Sequence, residues 1–130
     1  MAYEWTKKQI AQLTVGCTVM AEFDVTGEAE PREIAKVYNV TKRGTFKAKC
    51  LQGLVMVSDE MNPSTIQPPS LATLNRMAVE SFGEQSHVSD LRGFVEVFRR
   101  DEFGRLQERA AFYGADAARE CARWLAARGR

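Results

Sequence analysis

Residues 17–25 have the sequence CTVMAEFDV, and this stretch sets the first expectation about the fold. Every second side chain is apolar, from Cys17 through Phe23 and Val25. Successive side chains of an extended chain point to opposite sides, so this alternation predicts a β-strand with one buried face. The first part of the chain is therefore expected to be built around a sheet.

Patterns on both sides of this strand extend the prediction. Thr6 is a favoured N-cap residue for a short helix through Leu13. Further extended segments alternate with polar or glycine-containing turns. The predicted order is a turn at 26–32, a strand at 33–40, a turn at 42–44, and strands at 45–51 and 54–58. Simple alternation in the second strand places Ile34, Lys36 and Tyr38 on one face.

Two motifs in this region resemble a known family. L-x-V-G-C-x-V at residues 13–19 and I-A-K-V-x-x-V-T-K-R-G at residues 34–44, followed by a strand, look like small SH3-like barrel domains, including small barrel proteins of phages and plasmids. The resemblance covers residues 13–57 and implies a small antiparallel barrel. One departure is the long, acidic first loop with Glu28 and Glu30, where the family has a short, basic one.

The second half of the chain begins with a proline-rich segment and then shows two helix signals and a hairpin pattern. Residues 61–70 hold three of the four prolines and are expected to form a loop or linker. Ser70 is a suitable N-cap for a helix through Phe82. The segments that follow are a polar loop at 85–92, a strand at 93–100, a turn at 101–104, a strand at 105–113 and a helix at 115–128.

These elements predict the α+β class. The expected architecture is a small SH3-like antiparallel barrel, a linker helix, and a C-terminal β-hairpin plus helix (ββα). The corresponding modules are residues 1–60, a proline-rich linker with a short helix at 61–90, and the ββα module at 91–130. Whether the modules share one core is left open by the sequence.

Composition indicates a globular protein that stays in the cytoplasm. Hydrophobic residues make up 45% and charged residues 27% of the chain, as in ordinary folded domains. No apolar run approaches the roughly 20 residues that cross a bilayer, and the N-terminus lacks the apolar region of a signal peptide. The three cysteines are widely spaced and odd in number, which favours buried thiols in a reducing compartment.

The residues needed for catalysis or metal binding are sparse. His87 is the one histidine, and the cysteines are more than thirty residues apart, so no zinc spacing is present. Residues 86–90 contain serine, histidine and aspartate, but adjacent residues cannot form a catalytic triad. Neither glycine-rich phosphate-binding motif occurs. We therefore predict a non-catalytic protein without cofactor or metal.

Two basic clusters are the candidate binding sites, whether for nucleic acid or for a protein partner. The first comprises Lys42, Arg43, Lys47 and Lys49, near Tyr38 and Phe46. Cations interleaved with aromatic rings are typical of single-stranded nucleic-acid sites, where charge contacts phosphate and rings stack on bases. The second comprises Arg99, Arg100, Phe103 and Arg105 at the predicted hairpin tip, with Arg119 and Arg123 on the last helix. For both clusters an ordinary solvated surface is the alternative.

Three functions remain open at this point. The leading expectation is a nucleic-acid-associated or regulatory binding protein, of the kind that phages or plasmids encode. The second is a protein-interaction module, such as a mobile-element inhibitor of a host defence complex (anti-CRISPR or anti-restriction type). The near-neutral formal charge of +1 argues against an acidic DNA mimic and favours steric blocking. The third is an assembly component of a phage or plasmid, whose oligomeric state the sequence does not give.

Overall fold

The computed structural model describes residues 3–22, 27–91 and 93–128. Within them the architecture is α+β, with three α-helices, a curled four-stranded antiparallel sheet and a second, three-stranded antiparallel sheet. The predicted class is therefore confirmed. The chain divides into an N-terminal unit, Met1–Pro68, and a C-terminal unit, Pro69–Arg130.

The N-terminal unit contains one helix, four strands and two 3₁₀ turns. In chain order these are α1 Lys7–Gln12, β1 Thr18–Glu22, β2 Ala29–Tyr38, β3 Lys47–Cys50, β4 Val55–Val57, and the 3₁₀ turns Ser58–Glu60 and Pro63–Thr65. Each strand pairs with the next in the order β1-β2-β3-β4. The predicted first helix is confirmed, because Thr6 and Gln9 cap it reciprocally through side-chain hydrogen bonds to each other's backbone N–H.

Strand β1 has the buried face that alternation predicts, with Cys17 just before it and Val19 fully buried. The continuation to Phe23 and Val25 lies outside the described residues. The predicted turn at 26–32 is wrong in extent, because β2 already begins at Ala29.

The start of β2 was missed because it contains a proline, which usually indicates a turn and not a strand. Pro31 lies opposite Met20, whose own N–H and C=O bond away from β2, to the side chain of Thr65 and the backbone N–H of Asn62. The ladder therefore needs no N–H from residue 31, which is the condition under which a strand tolerates proline.

The proline-rich segment lies along the other edge of β1. Met61 and Gln67 form isolated antiparallel bridges with Ala21 and Thr18, and Met61 is fully buried. This segment therefore belongs to the N-terminal unit and covers a strand edge that would otherwise be unpaired.

The C-terminal unit has two helices and three strands. These are α2 Leu71–Ser81, β5 Ser86–Leu91, β6 Phe94–Arg100, β7 Leu106–Tyr113 and α3 Ala117–Arg128. The polar loop predicted at 85–92 is wrong, because it holds strand β5; its last residue, Arg92, lies outside the described residues. This edge strand is polar because Val88 is its one buried residue, and its composition therefore resembled that of a loop. The expected β-hairpin is accordingly part of a three-stranded sheet, in the order β5-β6-β7.

Both helices pack on one face of this sheet. Helix α2 contacts β5 and α3, and α3 contacts β6 and β7. The strands contribute Val88, Val95 and Val97 to the core beneath the helices. At the edge of β5, the side-chain amide of Asn75 accepts from the backbone N–H of Val88 and donates to its C=O, so it satisfies two groups that a further strand would bond.

Candidate functional site

The outer face of β2, β3 and β4 carries three lysines. Strand β3 alternates between exposed Lys47 and Lys49 and buried Ala48 and Cys50. Its pairing places Lys49 opposite Lys36 and Lys47 opposite Tyr38 on β2, while β4 adds two half-exposed valines. We call this surface the lysine face; it consists of Lys36, Tyr38, Lys47, Lys49, Val55 and Val57.

Lys36 reaches this face because β2 is irregular. The pairing register shifts between Ile34 and Lys36, so Ile34 is fully buried while Lys36 is exposed. Simple alternation placed both residues on one face, and that prediction is wrong. A β-bulge inserts one residue and exchanges the faces beyond it.

The lysine face concentrates positive charge. Lys36 lies directly opposite Lys49, an arrangement that is unfavourable between like charges on adjacent strands. The Nζ of Lys36 lies 5.8 Å from the ring centroid of Tyr38. All six residues of this face lie in the described part of the chain, and none is a carboxylate. The repulsion is therefore not balanced within the face itself.

Of the two aromatic residues expected beside the lysines, Tyr38 alone belongs to the surface. Phe46 is buried and packs edge-on against Trp5, with ring centroids 4.9 Å apart. The indole N–H of Trp5 donates to the carbonyls of Ser58 and Met61 at 2.9 and 3.1 Å. Phe46 and Trp5 are thus core residues of the N-terminal unit.

Lys42 and Arg43 occupy the turn between β2 and β3, apart from the lysine face. With Lys7 of α1 they line a hollow of about 400 Å³ whose other walls include Ile10 and Val40. All three cations are exposed. Thr41 lines this hollow and also a second one, of about 380 Å³, that Lys47 lines. The turn and the lysine face are therefore neighbouring parts of one surface that is mainly basic, although Asp59 also lines the second hollow.

Gly44 holds this turn against the start of α1. Its φ of +85° is in the left-handed region, and a Cβ placed there would lie 2.5 Å from the carbonyl oxygen of Trp5. Glycine is therefore required by conformation and by space. This close approach brings Lys42 and Arg43 to the same hollow as Lys7.

The structure separates the arginines that were expected to cluster at the hairpin tip. Arg99 lies on the helix-covered face, where it forms an ion pair with Glu108 at 3.3 Å. Glu108 also pairs with Arg128 at 3.0 Å. Both guanidinium groups lie over the ring of Phe82, at 5.5 and 4.8 Å from its centroid. Arg99 is thus part of a partly exposed ion-pair network that includes Arg128, which the sequence prediction did not select.

Arg100 and Arg105 do lie together at the tip. The carboxylate of Asp101 accepts from the backbone N–H groups of Phe103 and Arg105, which fixes the turn. The guanidinium of Arg105 lies 5.5 Å from the ring centroid of Phe103, a side chain that is 73% exposed. Arg100 lies similarly over Phe98, at 5.3 Å.

The two helix arginines expected in this cluster differ in accessibility. The side chain of Arg119 is 12% exposed and pairs with Asp116 at 3.3 Å. Arg123 is exposed one helical turn further along α3. Arg119 is therefore held by an ion pair with the residue just before its own helix.

The sequence prediction missed a group of rings on the outer face of the C-terminal sheet. This face, opposite the helices, carries Phe94 and Phe98 of β6, next to His87 of β5 and Tyr113 of β7. Phe94 and Tyr113 have centroids 5.2 Å apart, and His87 and Phe98 are 5.5 Å apart. We call these four residues the aromatic face. The sequence feature that could have revealed this face is the presence of apolar residues at successive positions of β6, since these point to both sides of the sheet.

The described residues bear on two kinds of chemistry, metal binding and thiol reactivity. In that part of the chain, no group of three or more His, Cys, Asp or Glu is arranged to hold a metal ion. The cysteines are free and buried, as predicted. Burial raises the pKa of the Cys50 thiol, and it raises the pKa of Cys121 to about 11, so neither is a ready nucleophile. Among the described helices, none has the length and apolar character of a membrane span.

Comparison of the chain with protein-family models, with curated proteins and with solved structures gave no match.

Proposed function

We propose that this chain is a non-catalytic nucleic-acid-binding protein that contacts phosphates through the lysine face and the adjoining basic turn. The observation that carries the proposal is that the lysines have no carboxylate partners among the described residues. All six lysines of the chain lie in the N-terminal unit, and none forms an ion pair among the described residues. The ion pair described in this unit joins Arg32 to Glu30 instead.

Unpaired surface lysines suit a polyanion for two reasons. Each lysine that neutralises a phosphate releases a condensed counterion, which makes binding favourable and salt-dependent. A phosphate between Lys36 and Lys49 would also relieve the repulsion between these directly opposed charges. Tyr38 lies on the same face and offers a ring to an unstacked base.

We also propose that the N-terminal unit is an SH3-like barrel. Three features support this assignment: the antiparallel order β1-β2-β3-β4, a 3₁₀ turn at Ser58–Glu60 directly after β4, and a following segment that bridges antiparallel to β1. A sheet whose last segment pairs with its first strand has the connectivity of a closed barrel. The sequence resemblance over residues 13–57 points to the same family.

The test is fluorescence anisotropy with labelled single- and double-stranded DNA and RNA, at about 50 and 200 mM salt. The variant is the triple substitution Lys36→Gln, Lys47→Gln and Lys49→Gln. The matched control is Arg76→Gln, Arg119→Gln and Arg123→Gln, which removes the same charge from the helices of the C-terminal unit. Circular dichroism on each variant confirms folding.

We expect the lysine triple to weaken binding at least tenfold and to lower the slope of log K against log salt. The slope should fall by about 2 for single strands and about 3 for duplexes, since each lost phosphate contact removes about 0.7 or 0.9 from it. The arginine control should keep most of the slope. Equal losses in both triples would show that net charge, and not the lysine face, governs binding. No binding by the unmodified protein at low salt would exclude the proposal.

A further inference from the structure

We propose that the aromatic face of the C-terminal unit is a stacking platform for unpaired bases, so that the preferred ligand is single-stranded nucleic acid. This inference rests on the proposed function and adds the class of ligand to it. It depends on a different surface from the lysine face, which allows the two to be tested separately.

The rings of this face are not needed for the core. The helix-covered face is already filled by Val88, Val95 and Val97, all nearly or fully buried. Tyr113 is 65% exposed, and Phe94 and Phe98 are half-buried on the opposite face. Packing therefore accounts for the valines but leaves three aromatic side chains at the surface of one small sheet.

The rings form two sites along β6. Phe94 and Tyr113 are neighbours on adjacent strands, with centroids 5.2 Å apart and planes 32° apart, so the two rings overlap in part and support each other. Tyr113, which is 65% exposed, is the ring of this pair on which a base can stack. Phe98 forms the second site, with His87 on one side and the guanidinium of Arg100 5.3 Å from its ring centroid. Phe94 and Phe98 are four residues apart on one strand, which places the sites about 13 Å apart.

Charge on this face favours a polyanion. Glu96 lies between the two ring sites, but Arg109 pairs with it at 2.8 Å, so the carboxylate is neutralised. Arg100 is exposed at the end of the face nearest the hairpin tip, where Arg105 is also exposed. Asp101 and Glu102 lie in the same tip, and the Asp101 carboxylate is bonded to backbone N–H groups. Arg100 is therefore the cation on the face itself that a phosphate running beside the rings would reach.

Two features make an unpaired strand a better occupant than a protein or a duplex. The centre of a protein–protein interface is depleted of charged side chains, whereas here Glu96 and Arg109 lie among the rings. In a duplex the base faces are stacked on one another, so a flat sheet of rings reaches only their edges. Base–aromatic stacking on an open sheet is a recurring mode of single-strand recognition.

The experiment compares a labelled oligothymidine with a duplex of equal length, using the full chain in the anisotropy assay. The variant is Phe94→Leu with Tyr113→Leu, which removes the paired rings and keeps apolar side chains. Tyr113→Leu alone is a second variant that is safe for folding because the side chain is largely exposed. Leu106→Ala is the control, an exposed apolar residue of the same strand as Tyr113.

We expect the double variant to bind oligothymidine about tenfold more weakly, with an unchanged salt slope and unchanged duplex affinity, because stacking does not release counterions. The single variant should lose part of this, and Leu106→Ala should bind like the unmodified protein. If both ring variants bind the single strand as tightly as the unmodified protein does, the inference is overturned and the proposed function is left intact. Loss in the lysine triple with no loss in the ring variants distinguishes the two proposals directly. An unmodified protein that binds neither oligonucleotide would exclude both, and would direct attention to a protein partner for the rings.

Discussion

The two units of this chain carry their positive charge in opposite ways. The N-terminal unit holds every lysine of the chain, and among the described residues these lysines form no ion pairs. The C-terminal unit holds most of the arginines, and several of them are engaged by carboxylates of the same unit. Among the described residues, Arg99, Arg109, Arg119 and Arg128 form ion pairs. The two units therefore differ in how accessible their cations are, and not only in how many cations they hold.

The chemistry of the two side chains explains the contrast. A guanidinium is planar and weakly hydrated, so it stacks on rings while it binds a carboxylate, as Arg99 and Arg128 do between Phe82 and Glu108. An ammonium group is strongly hydrated and has no planar fork with which to bind a carboxylate while it stacks on a ring. Lysines on β3 therefore remain accessible to an anionic ligand.

The largest effect should come from the turn that holds Lys42 and Arg43 in the basic surface. Gly44→Ala should destabilise the N-terminal unit by about 3 kcal/mol or more, because it combines a strained positive φ with a backbone clash. Gly53→Ala is the matched control: it has the same φ of +85°, but its Cβ meets nothing within 4 Å. The control should cost about 1 kcal/mol. Urea denaturation measures both, and equal costs would mean that the contact with Trp5 is unimportant.

A smaller effect tests whether pairing makes arginines unavailable. Glu108→Gln removes the carboxylate shared by Arg99 and Arg128, so stability should fall by about 1 kcal/mol, since both pairs are partly exposed. Nucleic-acid affinity should rise about threefold as the two guanidinium groups become available. Glu84→Gln, at an exposed position outside the hairpin tip, changes net charge equally and is the control. If both variants raise the affinity equally, internal pairing does not distinguish the units.

The smallest effect concerns the opposed lysines. Lys36→Glu replaces a like-charge pair with an opposite-charge pair across β2 and β3, so the N-terminal unit should become more stable by about 0.5 kcal/mol. Binding should weaken in the same variant. Lys42→Glu makes the same charge change in a turn without a cross-strand lysine and should not gain stability. Thermal unfolding and anisotropy on the two variants decide the matter, and a loss of stability with Lys36→Glu would contradict the expected repulsion.

Local signals made much of the fold predictable. Thr6 and Ser70 cap their helices through the expected backbone N–H groups, and Gly83 follows α2 with a positive φ of 127°. Strand β5 could not be found because a single buried side chain, Val88, gives no periodic pattern. The early start of β2 was hidden by Pro31, whose place in a strand depends on pairing that only the folded chain reveals.

The candidate site was predictable in part, for similar reasons. Lys47 and Lys49 alternate with small apolar residues, so their exposure follows from the strand pattern. Lys36 was assigned to the wrong face because a bulge leaves no mark in the sequence. Phe46 and Tyr38 are equally aromatic, and only packing against Trp5 removes Phe46 from the surface. Whether any of these residues binds a ligand stays a prediction.

The hydrogen bonds of Trp5 have a consequence for the order in which the molecule is made. Its indole N–H is satisfied by carbonyls more than fifty residues later, at Ser58 and Met61. A nascent chain emerges from the ribosome N-terminus first. Trp5 is therefore exposed without these partners until residues 58 and 61 have been synthesised and have emerged. The N-terminal unit therefore closes late, when its final segment emerges, and a chain interrupted before residue 61 leaves the ring of Trp5 open to chaperones and proteases.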